Sequence, residues 1–415
     1  MKICLWTVGL ICIAAPLLEG KSLQAEEPFE VEVGLDFVGP IKLKDGRFLG
    51  LTRGVKAMYS ADGGRTWTDG GILLDTEGQK IRGKTLRPWS LIRLKSGALA
   101  AGYWQRRRAD AKGVGQQDYY FVKSVDEGKT WSKPVHVNWP GTPAWPVWMI
   151  QTKTGRLVLP NEYWYDHQAA DIGIGICTAY YSDDEGKSWQ ESPDSLFVWE
   201  KDGDMVAGTE VPCAAETADG RILMFMRTKV GRIARSYSKD DGEHWSEASL
   251  TDLVSSNSEL WLTQIPTTGD LLCVWNQAST EEVKTGYYRA RLTSAISKDS
   301  GKTWENFRTV AMSPGQKKIT RIAKPRPPAN LKSQGAVPPR ELTAPEGFHM
   351  NTFPRVKFIG DTAYLVYNHR IYKYPEGATR WKREYNSRRL RAFPISWFYD
   401  KQSPEQAPKV PFGGK

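Results

Sequence analysis

Five carboxylates recur at fixed offsets along the chain: Asp62, Asp126, Asp184, Asp240 and Asp299. Each is the third residue of a box: "SADGGRTW" (60–67), "SVDEGKTW" (124–131), "SDDEGKSW" (182–189), "SKDDGEHW" (238–245) and "SKDSGKTW" (297–304). The shared pattern is SxDxGxTW, with Ser or His once each at the Thr position. A carboxylate so placed can hold a cation, or it can accept hydrogen bonds from the N–H groups of its own turn. One Asp per turn with lysine nearby makes a poor cation cage, whereas polar turns satisfy themselves readily. The boxes therefore read as folding devices, in which Gly supplies a left-handed conformation and Trp fills the space between neighbouring sheets.

Successive boxes start 64, 58, 56 and 59 residues apart, a period that fits one four-stranded antiparallel unit. A second motif runs in step with them: an apolar strand, a two-residue turn with Gly, and another apolar strand. It occurs as "KDGRFLG" (44–50), "KSGALAAGYW" (95–104), "KTGRLVLP" (153–160), "ADGRILMFMR" (218–227), "TGDLLCVWN" (268–276) and "GDTAYLVYN" (360–368). Asp-Gly and Ser-Gly between β-rich runs are hairpin signals. Six hairpins and five boxes predict an all-β, six-bladed β-propeller with Asp-box turns, occupying residues 26–400. "FEVEVGLDF" (29–37) alternates apolar and polar residues, so it is expected to join the last blade and close the ring. Residues 317–347 are Pro-rich, basic and aperiodic, and read as a long loop inside the last unit; residues 401–415 read as a disordered tail.

Residues 1–25 have the layout of a secretory signal peptide, a lysine followed by an apolar run and a short polar stretch, which predicts a secreted or periplasmic protein. No other stretch is long and apolar enough for a spanning helix, so no stable membrane insertion is expected after cleavage. Removing Lys2, Glu19 and Lys21 with this segment changes the formal charge from +10 to +9. In an exported protein such a surface suits anionic glycans, and no nucleic-acid motif accompanies it. Cys177, Cys213 and Cys273 remain, an odd and widely spaced set that fits neither a disulfide framework nor a CxxC metal site. There is no Gly-rich phosphate loop after a strand, no HExxH and no Cys/His cluster, and so no cofactor is implied.

Repeated SxDxGxTW boxes on such a chain resemble the sialidase (neuraminidase) superfamily of BNR/Asp-box proteins, whose fold is a six-bladed propeller. The resemblance spans residues 40–370 or so. It implies three arginines that grip a sugar carboxylate, a task suited to planar, bidentate guanidinium groups. The matching positions are Arg87 in "LRPWSLIRLKSGALAA", Arg227 in "DGRILMFMRT" and Arg289 in "YYRARLTSAISKDSGKTW", with Arg291 standing in if the register slips by two. The implied acid/base aspartate matches Asp110, with Asp118 second. The implied glutamate matches Glu210, one residue out of step unless a bulge restores it, while Glu216 reads as a structural partner.

The chain departs from the pattern at the nucleophile. Where the family carries a tyrosine, the strand "GFHMNTFPRVKFIGDTAYLVY" places Thr352 or Phe353. Tyr364 and Tyr367 follow the turn, Tyr372, Tyr374 and Tyr385 need another path, and His349 is a nearby acid or base candidate. The resemblance thus implies an exo-glycosidase acting on a terminal acidic sugar. The alternatives are another glycan-cleaving enzyme, a uronic-acid hydrolase or lyase, or a non-catalytic module that stacks sugars on Trp104, Trp145, Trp148 and Trp164.

Overall fold

In the computed structural model the described residues are 28–82, 86–106, 117–138, 144–146, 148–165, 174–200, 205–316, 347–373 and 382–400. The expected signal peptide, Asp110, Tyr374, the segment 317–346 and the tail 401–415 lie outside them. Six antiparallel sheets follow one another along the chain and form the blades of a six-bladed propeller.

The first strands of blades 1 to 6 are, in order, Val38–Lys42, Arg87–Arg93, the broken pair Ala144–Pro146 and Ile150–Gln151, Glu210–Glu216, Trp261–Gln264 and Phe348–Ile359. Those of blades 4, 5, 6, 1 and 2 touch in succession, and blade 3 completes the circle through its second strand, Leu157–Tyr165, packed on blade 4. First strands therefore line the axis. Because each sheet is built in the same order, they all start from the same end of the ring.

The boxes sit after the third strand of blades 1 to 5 and share one wiring. In blade 1, Ser60 Oγ donates to Asp62 Oδ1 at 2.8 Å and accepts from the Gly64 amide at 2.8 Å. The Thr66 amide and hydroxyl donate to Asp62 at 2.9 and 2.6 Å, and Trp67 Nε1 donates to Gly64 O at 2.9 Å. Asp126, Asp184 and Asp299 repeat the Ser, amide and hydroxyl bonds; Asp240, with His244 at the Thr position, keeps the Ser and amide bonds.

The box Gly is needed twice over. Gly186 has φ +86°, and a Cβ there would fall 2.3 Å from the ring of Phe121 in the preceding blade; Gly301 meets Leu223 at 2.3 Å in the same way. The tryptophans also reach back one blade, Trp189 to Phe121 (5.7 Å between ring centroids) and Trp304 to Phe225 (5.4 Å), contacts worth about 0.5–1.5 kcal/mol each beyond their buried area.

Blade 6 has no box. Its outer strand is Phe29–Val33, paired with Lys382–Pro394, so the start of the propeller segment closes the ring against its end. Glu30 secures the join, accepting from Tyr367 Oη at 3.0 Å and pairing with Arg391 Nε at 3.3 Å and with Arg389. The three cysteines are free and buried within the blades. Two insertions were not expected from the sequence: a ribbon of Val198–Glu200 with Met205–Ala207, and a short helix, Thr280–Lys284, started by a capping box between Ser279 and Glu282. No helix among the described residues is long and apolar enough to cross a membrane.

Candidate functional site

The starts of the first strands place charged residues around one mouth of the axis. Asp36 stands two residues before the first strand of blade 1, Arg87 opens that of blade 2, Glu210 opens that of blade 4, and Glu259 stands two residues before that of blade 5. Blade 6 contributes Thr352 and Phe353, where the strand bulges before Arg355.

Glu210 and Arg227 form the firmest pair. Arg227 ends the second strand of blade 4, directly opposite Glu210. The bulge that the sequence spacing required lies between Glu210 and Cys213, with Val211 at φ +46°, a left-handed value unusual for a β-branched residue. Arg227 Nε donates to Glu210 Oε2 at 2.7 Å, and Nη2 lies 2.6 Å from the same oxygen. Lys229 Nζ stands 3.4 Å from Oε1.

Arg289 is half-buried and donates from Nε and Nη2 to the Asn257 carbonyl at 2.9 and 2.6 Å. Burial, then the nearby Arg227, lowers its pKa. Arg291 is a different kind of residue: it is fully buried, donates to Gln277 O at 3.1 Å and Glu282 Oε2 at 3.0 Å, and serves the fold. Arg87 lies 3.8 Å from Asp36, with its guanidinium carbon 5.1 Å from the Trp104 ring centroid. It joins the other two arginines indirectly, because Asp36 acts on Arg388, and Arg388, Arg227 and Arg289 all act on Glu259.

Glu259 was not singled out in the sequence. Burial pushes its carboxyl above the usual range, against the pull of Arg227, Arg355, Arg289 and Arg388. A carboxyl poised in this way suits general acid/base work. Glu162, also missed, is buried in blade 3, accepts from the Val211 amide and acts on Arg227. The signal that would have found Glu259 is positional: it sits at a strand start equivalent to those of Asp36, Arg87 and Glu210.

Other candidates fall away from this cluster. Asp118 is buried against His136 Nε2 at 3.3 Å, and Glu216 accepts from the Lys153 amide at 2.8 Å. Tyr364 packs edge-on against Phe48, and Tyr367 belongs to the Glu30 closure. Tyr372 points its hydroxyl at Met350 Sδ, 3.8 Å away. His349 and His369 stack edge to face at 4.9 Å, with Tyr385 6.2 Å beyond His369. Burial lowers the pKa of both histidines, His369 to about 3.

At the expected tyrosine position, Phe353 takes φ +59° and packs its ring 5.9 Å from the Arg370 guanidinium carbon. Tyr288 stands beside Arg289, whose guanidinium carbon is 5.4 Å from its ring centroid, and burial raises its pKa, so it stays protonated. The proposed stacking surface does not form at this mouth: Trp104 and Trp148 are buried, and Trp148 packs among Trp261, Arg355 and Lys357, with an edge lining a cavity at the other end of the axis. The side chains of Trp145 and Trp164 lie outside those described.

Trp148 of blade 3 and Trp261 of blade 5 meet edge to face, 5.0 Å between ring centroids. At the other end of the axis is a cavity of about 510 Å³ lined by Lys42, Arg93, Lys95 and Lys357 and by no carboxylate. Burial and Arg355 lower the Lys357 amine to about 7. That amine could move a proton, but the lower cavity has no carboxylate beside it, and the upper mouth, with carboxyls and arginines together, is the closer match to glycoside hydrolysis. Among the described residues no group of three or more His, Cys, Asp or Glu is arranged to hold a metal ion.

The sequence model for a BNR repeat-like domain matches residues 53–379. The chain belongs to the BNR repeat-like domain family. Among its relatives, a sialidase of Bacteroides fragilis is 25% identical over 301 residues, which are 64% of this chain and 49% of that protein. The chain thus spans about half the length of the curated relative it matches. Solved structures that share the propeller include the following three. A protein of unknown function from Dyadobacter fermentans superposes with TM-score 0.58 at 15% identity, covering 88% of this chain and 98% of that one. Trypanosoma rangeli sialidase with the inhibitor DANA gives 0.51 at 15%, covering 87% and 55%. The GH93 α-L-arabinofuranosidase of Fusarium graminearum with arabinobiose gives 0.53 at 15%, covering 90% and 99%. At such identities the structures establish the BNR/sialidase fold, and the chemistry must come from this chain's own residues.

Proposed function

We propose that this BNR-family propeller is an exported exo-glycosidase of sialidase type, hydrolysing a terminal acidic sugar from a glycan. The observation that carries the reading is the meeting of Arg227 and Arg289 with Glu210 and Glu259 at one mouth of the axis. Arg227 and Arg289, with Arg87 from the Asp36 side, would bind the sugar carboxylate through charge-assisted hydrogen bonds. Glu259, or Asp110 from the loop after the second strand of blade 2, would protonate the leaving oxygen as the glycosidic bond breaks and then take a proton from the attacking water. Glu210 holds Arg227 in place. The similarity to a curated sialidase supports the choice of substrate class.

Phe353 favours a second reading. Without a phenol at that bulge the covalent step of a sialidase has no evident nucleophile, and a uronic acid, cleaved by direct hydrolysis or by elimination, fits the same carboxylate grip. Mass spectrometry of sugars released from oligosaccharides ending in sialic acid, a uronic acid or a neutral arabinoside tests both. Release of an acidic monosaccharide by the wild type and its loss in Arg227→Met are expected. A product absorbing in the ultraviolet would select elimination, and turnover confined to the neutral end would overturn the acidic-sugar reading.

A further inference from the structure

The grip just described leaves positive charge unmatched. Asp36 is engaged by Arg53 at 2.7 Å and by Arg87, and Glu210 by Arg227 and Lys229. Among the described residues Glu259 acts on Arg289, Arg355 and Arg388, Asp36 reaches Arg355 and Arg388 as well, and Arg370 adds positive charge beside Arg289 and Arg388. One bound sugar carboxylate would not balance four guanidinium groups.

Arg388 is the decisive residue. It is 4% exposed, its Nε meets no acceptor, and none of its nitrogens donates a hydrogen bond among the described residues. Burial, then Arg355, lowers its pKa to about 9. Asp36 and Glu259 act on it only at longer range, and a buried guanidinium that donates no hydrogen bond is destabilising, so its presence points to a ligand that supplies the missing acceptors. Its surroundings lean the same way. Arg388 is registered with Asn368, which is registered with Thr352, so all three project from one face of blade 6, and the buried Thr352 hydroxyl also lacks a partner. Arg355 donates from Nη1 to Trp89 O at 2.9 Å and leaves its Nε unmatched.

Resting on the acidic-sugar reading, we propose that the ligand carries a second anionic group, a sulfate ester or a second carboxylate, bound by Arg355, Arg370 and Arg388 while Arg227 and Arg289 hold the first. The planar forks of these guanidinium groups suit either oxyanion. Phe353, packed against Arg370, forms part of the wall between the two anionic positions.

Isothermal titration of the full chain tests this, with N-acetylneuraminic acid and glucuronic acid, their mono-O-sulfated forms, and a diuronate disaccharide as probes. A doubly anionic form is expected to bind at least ~10-fold tighter than its parent, a preference that Arg388→Met reduces to within about twofold. Arg370→Met is expected to act likewise and stands in if Arg388→Met fails to fold. Arg227→Met should weaken both forms and keep the preference between them. The sulfated sugar against the diuronate identifies which second group is read. Equal binding of parent and doubly anionic forms, or a preference that survives both variants, overturns the inference while the acidic-sugar function stands. Failure of every acidic sugar to bind overturns that function and this inference together.

Discussion

The boxed turns and the arginine-lined mouth use the same ingredients, carboxylates and their partners, in opposite ways. In a box, Asp62 takes its hydrogen bonds from Ser60, Arg65 and Thr66, all within four residues, and its charge is solvated and satisfied before any other blade is in place. At the mouth, Glu259 faces arginines from blades 4, 5 and 6, and the buried Arg388 Nε meets no acceptor. The boxes satisfy their carboxylates within the turn, whereas the mouth leaves buried guanidinium nitrogens of Arg355 and Arg388 without acceptors. Residues at the mouth should therefore change function more than stability, and residues in the boxes the reverse.

The largest expected effect tests the mouth. Glu259→Gln should lower kcat on an acidic-sugar substrate by roughly 10²–10⁴-fold, the usual share of a general acid/base. Since burial raises the Glu259 pKa, activity that needs its protonated form falls as pH rises through that raised value, and the variant's pH–rate profile should lose that limb. A small rate change with the limb intact would move the acid/base role elsewhere, Asp110 first.

Two arginines two residues apart sharpen the contrast. Arg289→Met should weaken binding of an acidic sugar by about 2–5 kcal/mol with little change in melting temperature. Arg291→Met should instead cost about 3–5 kcal/mol of stability by stranding the Glu282 carboxylate, as thermal and urea unfolding would register. Interchange of those two outcomes would break the division between mouth and scaffold.

Within the scaffold, Asp126→Ala removes the acceptor for the Thr130 amide and hydroxyl, and unfolding should show a loss of about 1–3 kcal/mol with sugar affinity retained. The boxes also set an acid limit. The Thr66 hydroxyl and amide pull Asp62 down to about 2, and those of Ser188 bring Asp184 to about 2 against the opposing effect of burial. A folded pKa below the unfolded one stabilises the protein above the unfolded value, about 3.9, and that contribution disappears as pH falls through about 2. Melting temperature should therefore drop between pH 4 and pH 2, and less steeply in a double Asp62→Asn, Asp184→Asn variant. The smallest effect is expected of Phe353→Tyr. With Glu210 committed to Arg227, the new phenol gains no base, and the rate should stay within about threefold of wild type.

Much of the fold was legible without coordinates, for a local reason. A box closes its hydrogen bonds inside eight residues, so its pattern survives in the linear text, and each hairpin likewise announces itself through its Gly turn. Glu210 shows the limit. Its identity and spacing were visible, but a one-residue bulge decided which side of the strand it faces. Arg355, Arg370 and Arg388 carried no linear signal, because isolated charges within a strand look like any solvated surface, and the place of Glu259 just ahead of a strand does not reveal its burial.

By itself, then, the sequence determined the propeller, its count of blades, the strand that closes it and two of the arginines at its mouth, Arg87 and Arg227. Tertiary structure alone decided that Arg289 rather than Arg291 faces that mouth, that Glu259 is its poised carboxyl, and that the buried Arg388 Nε is left there without an acceptor. The physical reason is range: hydrogen bonds within a turn depend on neighbours in the chain, whereas burial and the field at an axial site are summed over strands separated by hundreds of residues.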